Sequence, residues 1–206
     1  MRTVAAQPDF LEALATDGFV VLPGWLEPGS VAALRAELPS GGSLEGLQRA
    51  GVGRGGERRV LDAVRGDWIR WLDGSSPEQE HFLQRMEAIR LDVNRGLQLG
   101  VFEVEAHFAL YPPRSGYERH LDAFQSDNPR RLSAVLYLNR DWAATDGGEL
   151  AIYDAMGREI RRILPEGGTL VLFLSQQVPH AVLPATCWRA SIAAWFRVRG
   201  RDSALT

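Results

Sequence analysis

Val101-Phe102-Glu103-Val104-Glu105-Ala106-His107-Phe108-Ala109-Leu110-Tyr111 alternates in a way that nothing earlier in the chain does. In an extended strand, Tyr111 shares one face with Ala109, His107, Glu105 and Glu103, while Phe102, Val104, Phe108 and Leu110 point the other way. If Tyr111 faces a pocket, His107 faces it too. Downstream, residues 132–139, 149–153, 159–164, 169–174 and 191–198 also read as strands, separated by Gly, Pro, Asp and Asn.

Upstream the period is helical. Phe10, Leu11 and Leu14 form an apolar stripe ended by Gly18, and Ser30 is placed to cap a second stripe of Val31, Leu34 and Leu38. Between them, residues 19–22 form a short β-prone run closed by Pro23-Gly24, which suits a strand at a sheet edge. Ser76, Pro77 and Gln79 make a capping-box start, after which Phe82, Met86, Ile89, Val93 and Leu97 recur at helical spacing until Gly100. His81, in the first turn of that helix, reads as structural or solvated. From Gly41 to Gly56, seven of sixteen residues are glycine, a composition that buries little and suits a mobile loop, either a disordered connector or, over about 41–62, a lid. A helical block followed by short strands predicts a mainly β fold, a jelly-roll or cupin-like barrel with supporting α-helices on one side. The expected organisation is a single domain over 1–206, with helical support in 1–100 and the β core in 101–199.

A chain of 206 residues with 45% hydrophobic content can build one sizeable core. A formal charge of −3 with dispersed basic residues creates no field for a polyanion, so no nucleic-acid partner is expected. Cys187 is the lone cysteine, and Met1 leads through Arg2 and Thr3 into a segment without a long apolar run. A cytoplasmic protein with no membrane partner is the expectation, and the oligomeric state leaves no mark in the sequence.

His120 and Asp122 stand two residues apart, a spacing that puts both side chains on one side of a strand or turn, where they can share an ion. His180 follows a strongly apolar run, Leu170 to Leu174, as a third ligand carried by another strand would. Two histidines and one carboxylate on one face leave coordination positions open, the arrangement of non-haem Fe(II) oxygenases. A His-x-Asp alone recurs by chance. The set gains weight from Arg189, nine residues after His180 and leading into a strand, whose guanidinium can fork onto the far carboxylate of a dicarboxylate acid chelating the iron. His107 reads as a buried or supporting histidine rather than a ligand. No Ser-His-Asp set stands out, and Cys187 beside Trp188 reads as packing, so a hydrolase is disfavoured.

At these residues the chain resembles the 2-oxoglutarate-dependent prolyl hydroxylases, especially the hypoxia-inducible-factor prolyl hydroxylases and their bacterial relatives. The likeness runs in order through Arg65-Gly66-Asp67-Trp68-Ile69-Arg70-Trp71, Tyr111-Pro112, Gly116-Tyr117-Glu118-Arg119-His120-Leu121-Asp122, Tyr137-Leu138-Asn139-Arg140-Asp141-Trp142, Gly147-Gly148, and Pro179-His180 through Pro184 to Arg189 and Trp195. It implies a double-stranded β-helix in which His120, Asp122 and His180 are the catalytic metal ligands for Fe(II). Arg189 and Tyr137 would hold the distal carboxylate of 2-oxoglutarate, and Tyr111 would line the same pocket. Arg130 and Trp195 would lie near the substrate or cosubstrate, and Asp67 with the glycine-rich stretch would form the substrate-gating region. The implied reaction consumes 2-oxoglutarate and O₂, with ascorbate as a supporting reductant, to hydroxylate a prolyl residue in a protein or peptide and release succinate and CO₂. Resemblance to bacterial members makes elongation factor Tu a candidate target. Two alternatives stay open: an oxygenase acting on a free amino acid or another small molecule, and a non-catalytic cupin-like metal-binding or sensing module.

Overall fold

A computed structural model of the chain describes residues 9–51, 65–123 and 128–199. Helix α1 (Phe10–Asp17) is capped by the Asp9 side chain, which accepts from the Leu11 N–H, and ends at Gly18 in the left-handed conformation. Strand β1 (Phe19–Leu22) follows, then α2 (Pro28–Ala36), the two-residue strand β2 (Gln48–Arg49), β3 (Trp68–Trp71) and the long helix α3 (Pro77–Leu97). The remaining strands are β4 (Glu103–Tyr111), β5 (Tyr117–His120), β6 (Arg130–Tyr137), β7 (Leu150–Tyr153), β8 (Glu159–Ile163), β9 (Leu170–Leu174), β10 (His180–Val182) and β11 (Arg189–Arg197).

The strands form two antiparallel sheets. The larger has the order β1-β9-β6-β11-β4-β3-β2, and the smaller β5-β10-β7-β8. From β4 onward the chain crosses between the sheets at every step except the β7–β8 hairpin, the interleaving of a double-stranded β-helix. The two faces of the larger sheet divide by parity. Phe108, Leu110, Leu132, Leu136, Leu172, Ile192 and Phe196 turn toward the helices, where they join Leu14, Leu34, Phe82, Met86 and Val93 in one core. Ala109, Tyr111, Tyr137, Val171 and Phe173 turn the other way and join Leu150, Ile152 and Val182 of the smaller sheet in a second core. One face is for support, the other encloses a cavity. No described helix is long and apolar enough to cross a membrane.

Several expectations need correction. Ser30 does not cap α2: the N-cap is Glu27, Pro28 opens the helix, and the Ser30 hydroxyl donates to the Glu27 carboxylate instead. Ser76 does cap α3, accepting from the Gln79 N–H, but the Gln79 side chain is drawn elsewhere, accepting from Asp73 and Gly74 and donating to Glu37. Residues 41–51 of the expected lid are not all loop, because Gln48 and Arg49 pair with Ile69 and Trp68 at the sheet edge and Ala50 is buried. The rest of that lid, from 52 on, lies outside the described residues. Strands β5 and β10, only four and three residues long, carry too little alternation to be read from sequence.

Candidate metal centre and cosubstrate pocket

Short as they are, β5 and β10 make the site. Their antiparallel pairing sets His120 directly opposite His180, although sixty residues separate them. Gly116 permits the approach, since a Cβ there would run into the Val182 carbonyl. Both imidazoles are oriented by their own strands: His120 Nδ1 donates to the Glu118 carbonyl at 2.7 Å and His180 Nδ1 to the Val178 carbonyl at 3.0 Å. With Nδ1 so engaged, Nε2 is the nitrogen each ring offers for a ligand role. Asp122, in the turn after β5, lies 3.6 Å from His120 Nε2 through Oδ1 and 3.9 Å from His180 Nε2 through Oδ2. The three donor atoms lie within 4.8 Å of one another, a spacing at which one ion can take all of them. Tyr117 stacks on His120 at 3.6 Å between ring centroids, and Phe173 packs at 4.5 Å from His180.

The charges suit a divalent cation. Burial would raise the Asp122 carboxyl, but the adjacent His180 and His120 rings and the Ser133 hydroxyl outweigh it and hold it well below the usual carboxylate range. Burial, then the nearby His120, lowers His180 to about 4, so it is neutral at physiological pH, the form that ligates metal.

Beside the triad, Arg189 is buried with 1% of its surface exposed. Nε donates to the Gly148 carbonyl at 2.9 Å and Nη1 to Ser191 Oγ at 3.4 Å. Gly148 sits at φ 73°, and a side chain there would crowd the Arg189 stem. Arg189 Nη2, the Tyr137 hydroxyl and Trp195 Nε1 are buried without a hydrogen-bond partner. The guanidinium carbon lies 5.1 Å from the Tyr137 ring and 5.2 Å from that of Tyr111. Burial pushes the Tyr137 phenol up to about 12, against the opposing pull of Arg189, and burial raises Tyr111 as well, so both remain O–H donors. Unmatched donors on a buried cation and a phenol are what a carboxylate would satisfy.

Asp67 is buried in a two-pronged pair with Arg65, at 2.7 and 3.0 Å, and Arg65 lies 5.0 Å over the Tyr117 ring. Both line the cavity wall, as does Trp195. Arg130 is not among the lining residues; it stacks on Trp195 at 3.8 Å and hydrogen-bonds Glu105, so it reaches the cavity only through the indole. His107 does share the cavity face with Tyr111, wedged between Trp71 and Trp195, with Nδ1 donating to the Phe108 carbonyl. Arg65, Tyr117, Ser133 and Ser191 escaped the sequence reading as site residues. Arg65 and Tyr117 stood in the quoted motifs, and Ser191 is two residues from Arg189 on the same strand face.

Residues 106–197 match the family model described as the 2OG-Fe(II) oxygenase superfamily. The fold overlays a Pseudomonas putida prolyl-4-hydroxylase with a TM-score of 0.82 and 42% identity, across 93% of this chain and 98% of that one. The chain belongs to the prolyl hydroxylase family of 2OG-Fe(II) oxygenases. It is also 32% identical to human Egl nine homolog 1 over 143 residues, 65% of this chain and 33% of that protein. It thus spans about a third of that curated relative. A Trichoplax adhaerens prolyl hydroxylase, solved in complex with a hypoxia-inducible-factor oxygen degradation domain peptide fragment, overlays with a TM-score of 0.75 and 25% identity, across 91% of this chain and 87% of that one. Fe(II) as cofactor and 2-oxoglutarate and O₂ as cosubstrates are those of the superfamily, and the His-Asp-His set and unmatched donors of this chain fit them.

Proposed function

We propose that this chain is an Fe(II)- and 2-oxoglutarate-dependent dioxygenase that hydroxylates a prolyl residue in a protein or peptide. The observation that carries the reading is one cavity holding both a His-Asp-His donor set and a buried arginine with an unmatched nitrogen. A metal-binding module without turnover would have no use for the second feature.

His120, Asp122 and His180 would hold the iron through two imidazole nitrogens and one carboxylate oxygen. Bound there with 2-oxoglutarate and O₂, Fe(II) supplies the oxidation of an unactivated C–H bond, with succinate and CO₂ as products. Arg189 Nη2 and the Tyr137 hydroxyl would hold the distal carboxylate of 2-oxoglutarate; their role is orientation, not proton transfer. Val135, Leu150 and Phe173 line the cavity with apolar surface that limits water. Trp195 and Asp67 in the wall, with Arg130 behind the indole, would contact or position the prolyl segment. The peptide seen with the Trichoplax adhaerens relative supports a polypeptide substrate, and elongation factor Tu is the first target to test.

The test is succinate release by the Fe(II)-loaded chain with 2-oxoglutarate, with and without candidate proteins. Turnover should rise with a proline-containing protein and vanish in His120→Ala and Arg189→Ala. Stimulation by free amino acids but not by any protein would move the small-molecule reading ahead.

A further inference from the structure

Asp122 is held from outside the triad. Ser133 Oγ lies 2.6 Å from Asp122 Oδ2, and Ser175 Oγ lies 2.9 Å from Ser133 Oγ. Ser133 and Ser175 are 1% and 0% exposed, so neither hydroxyl can be satisfied by bulk water. The direction of the chain follows from proton count. Each hydroxyl has one proton, an ionised carboxylate can only accept, and the Ser133 proton therefore goes to Asp122 while the Ser175 proton goes to Ser133. Ser175 is itself anchored at both backbone ends, its N–H donating to the Arg131 carbonyl at 3.0 Å and its carbonyl accepting from Ala123 N at 3.1 Å. The second of these ties down the residue next to Asp122.

We infer that Ser133 and Ser175 are positioning residues that commit Asp122 Oδ2 to a hydrogen bond and leave Oδ1 as the ligand oxygen. The inference rests on the metal reading of His120, Asp122 and His180. Oδ1 faces His120 Nε2 at 3.6 Å and accepts no hydrogen bond from a described residue, while Oδ2, although 3.9 Å from His180 Nε2, is taken up by the short hydrogen bond from Ser133. A carboxylate gripping the ion with both oxygens would occupy one position more than a carboxylate gripping with one, and that position is needed for a two-point chelating acid and for O₂. The serines thus hold open a coordination position without touching the metal. Their places in the fold suit this role. Ser133 shares a β6 face with Val135 and Tyr137, and Ser175 continues the face of Val171 and Phe173 just beyond β9, so the two hydroxyls stand on surfaces otherwise apolar or pocket-forming.

The experiment is anaerobic equilibrium binding of Co(II) to the full chain, read together with the visible absorption of the bound ion. Ser133→Ala should weaken Co(II) about tenfold to a hundredfold and alter the absorption bands, because the freed Oδ2 can enter the coordination sphere. Ser133→Thr, which keeps the hydroxyl, should restore both. Ser175→Ala should weaken binding several-fold, and Ser133→Ala/Ser175→Ala should match Ser133→Ala alone, since Ser175 acts only through Ser133. Unaltered affinity and absorption in Ser133→Ala, or strictly additive losses in the double variant, would overturn the inference while leaving the metal site standing. Failure of the unaltered chain to bind Co(II) would instead overturn the metal reading and this inference with it.

Discussion

A buried guanidinium with one nitrogen unmatched is a local cost of folding, because a charge withdrawn from water needs every donor satisfied. Arg189 carries that cost beside a phenol in the same condition, and a bound carboxylate would relieve both. Truncating one side of a buried charged pair costs about 2–5 kcal/mol, so Arg189→Ala should weaken 2-oxoglutarate at least thirtyfold while Co(II) affinity stays within a few-fold. Tyr137→Phe removes one hydrogen bond to a charged group, about 1.5–3 kcal/mol, and should weaken 2-oxoglutarate roughly tenfold or more. Calorimetric titration of 2-oxoglutarate into the Co(II)-loaded variants reads both. Arg189 was legible from sequence because of its place after His180, and Tyr137 through the family likeness. Ser133 and Ser175 were not, since a serine on a strand face gains meaning only when another strand brings the carboxylate to it.

At the level of elements, the division of labour follows from parity. The long strands announced themselves: Val101 to Tyr111 alternates cleanly because β4 is covered on both faces by different neighbours, helices on one side and the cavity on the other. The two strands that assemble the metal site gave no such signal, since three or four residues cannot display a period, and their pairing is set by the barrel rather than by local preference. Helix α3 is the main brace, packing Phe82, Met86 and Val93 on the outer face of the larger sheet. Phe82→Ala should therefore cost about 3–5 kcal/mol, seen as a lower urea midpoint, with 2-oxoglutarate affinity unchanged below the transition. A loss of cosubstrate affinity in the still-folded variant would mean that the helix layer shapes the pocket directly.

For the whole molecule, the buried site ties stability to pH. Burial lowers His107 to about 4 from an ordinary value of 6.5, so the unfolded chain takes up that proton first. Stability from this residue is fully present above the unfolded value and is lost as pH falls from 6.5 toward 4, by up to about 3 kcal/mol. His107→Gln should make that part of the stability profile, measured by urea unfolding, shallower without abolishing it, since His180 is lowered to about 4 as well; a profile parallel to that of the unaltered chain would show that His107 carries none of it. The overall architecture, helices then a β barrel, could be read from the change of period near residue 100, but the cavity's closure could not, because it depends on strands crossing between sheets. The proposed reaction is defined by where the oxygen goes. Mass spectrometry of a candidate protein after incubation with the Fe(II)-loaded chain, 2-oxoglutarate and heavy-oxygen-labelled O₂ addresses it directly. One labelled oxygen on a prolyl residue, absent with Asp122→Ala, is the predicted result; succinate release with the label on a small molecule or a non-prolyl residue would contradict it.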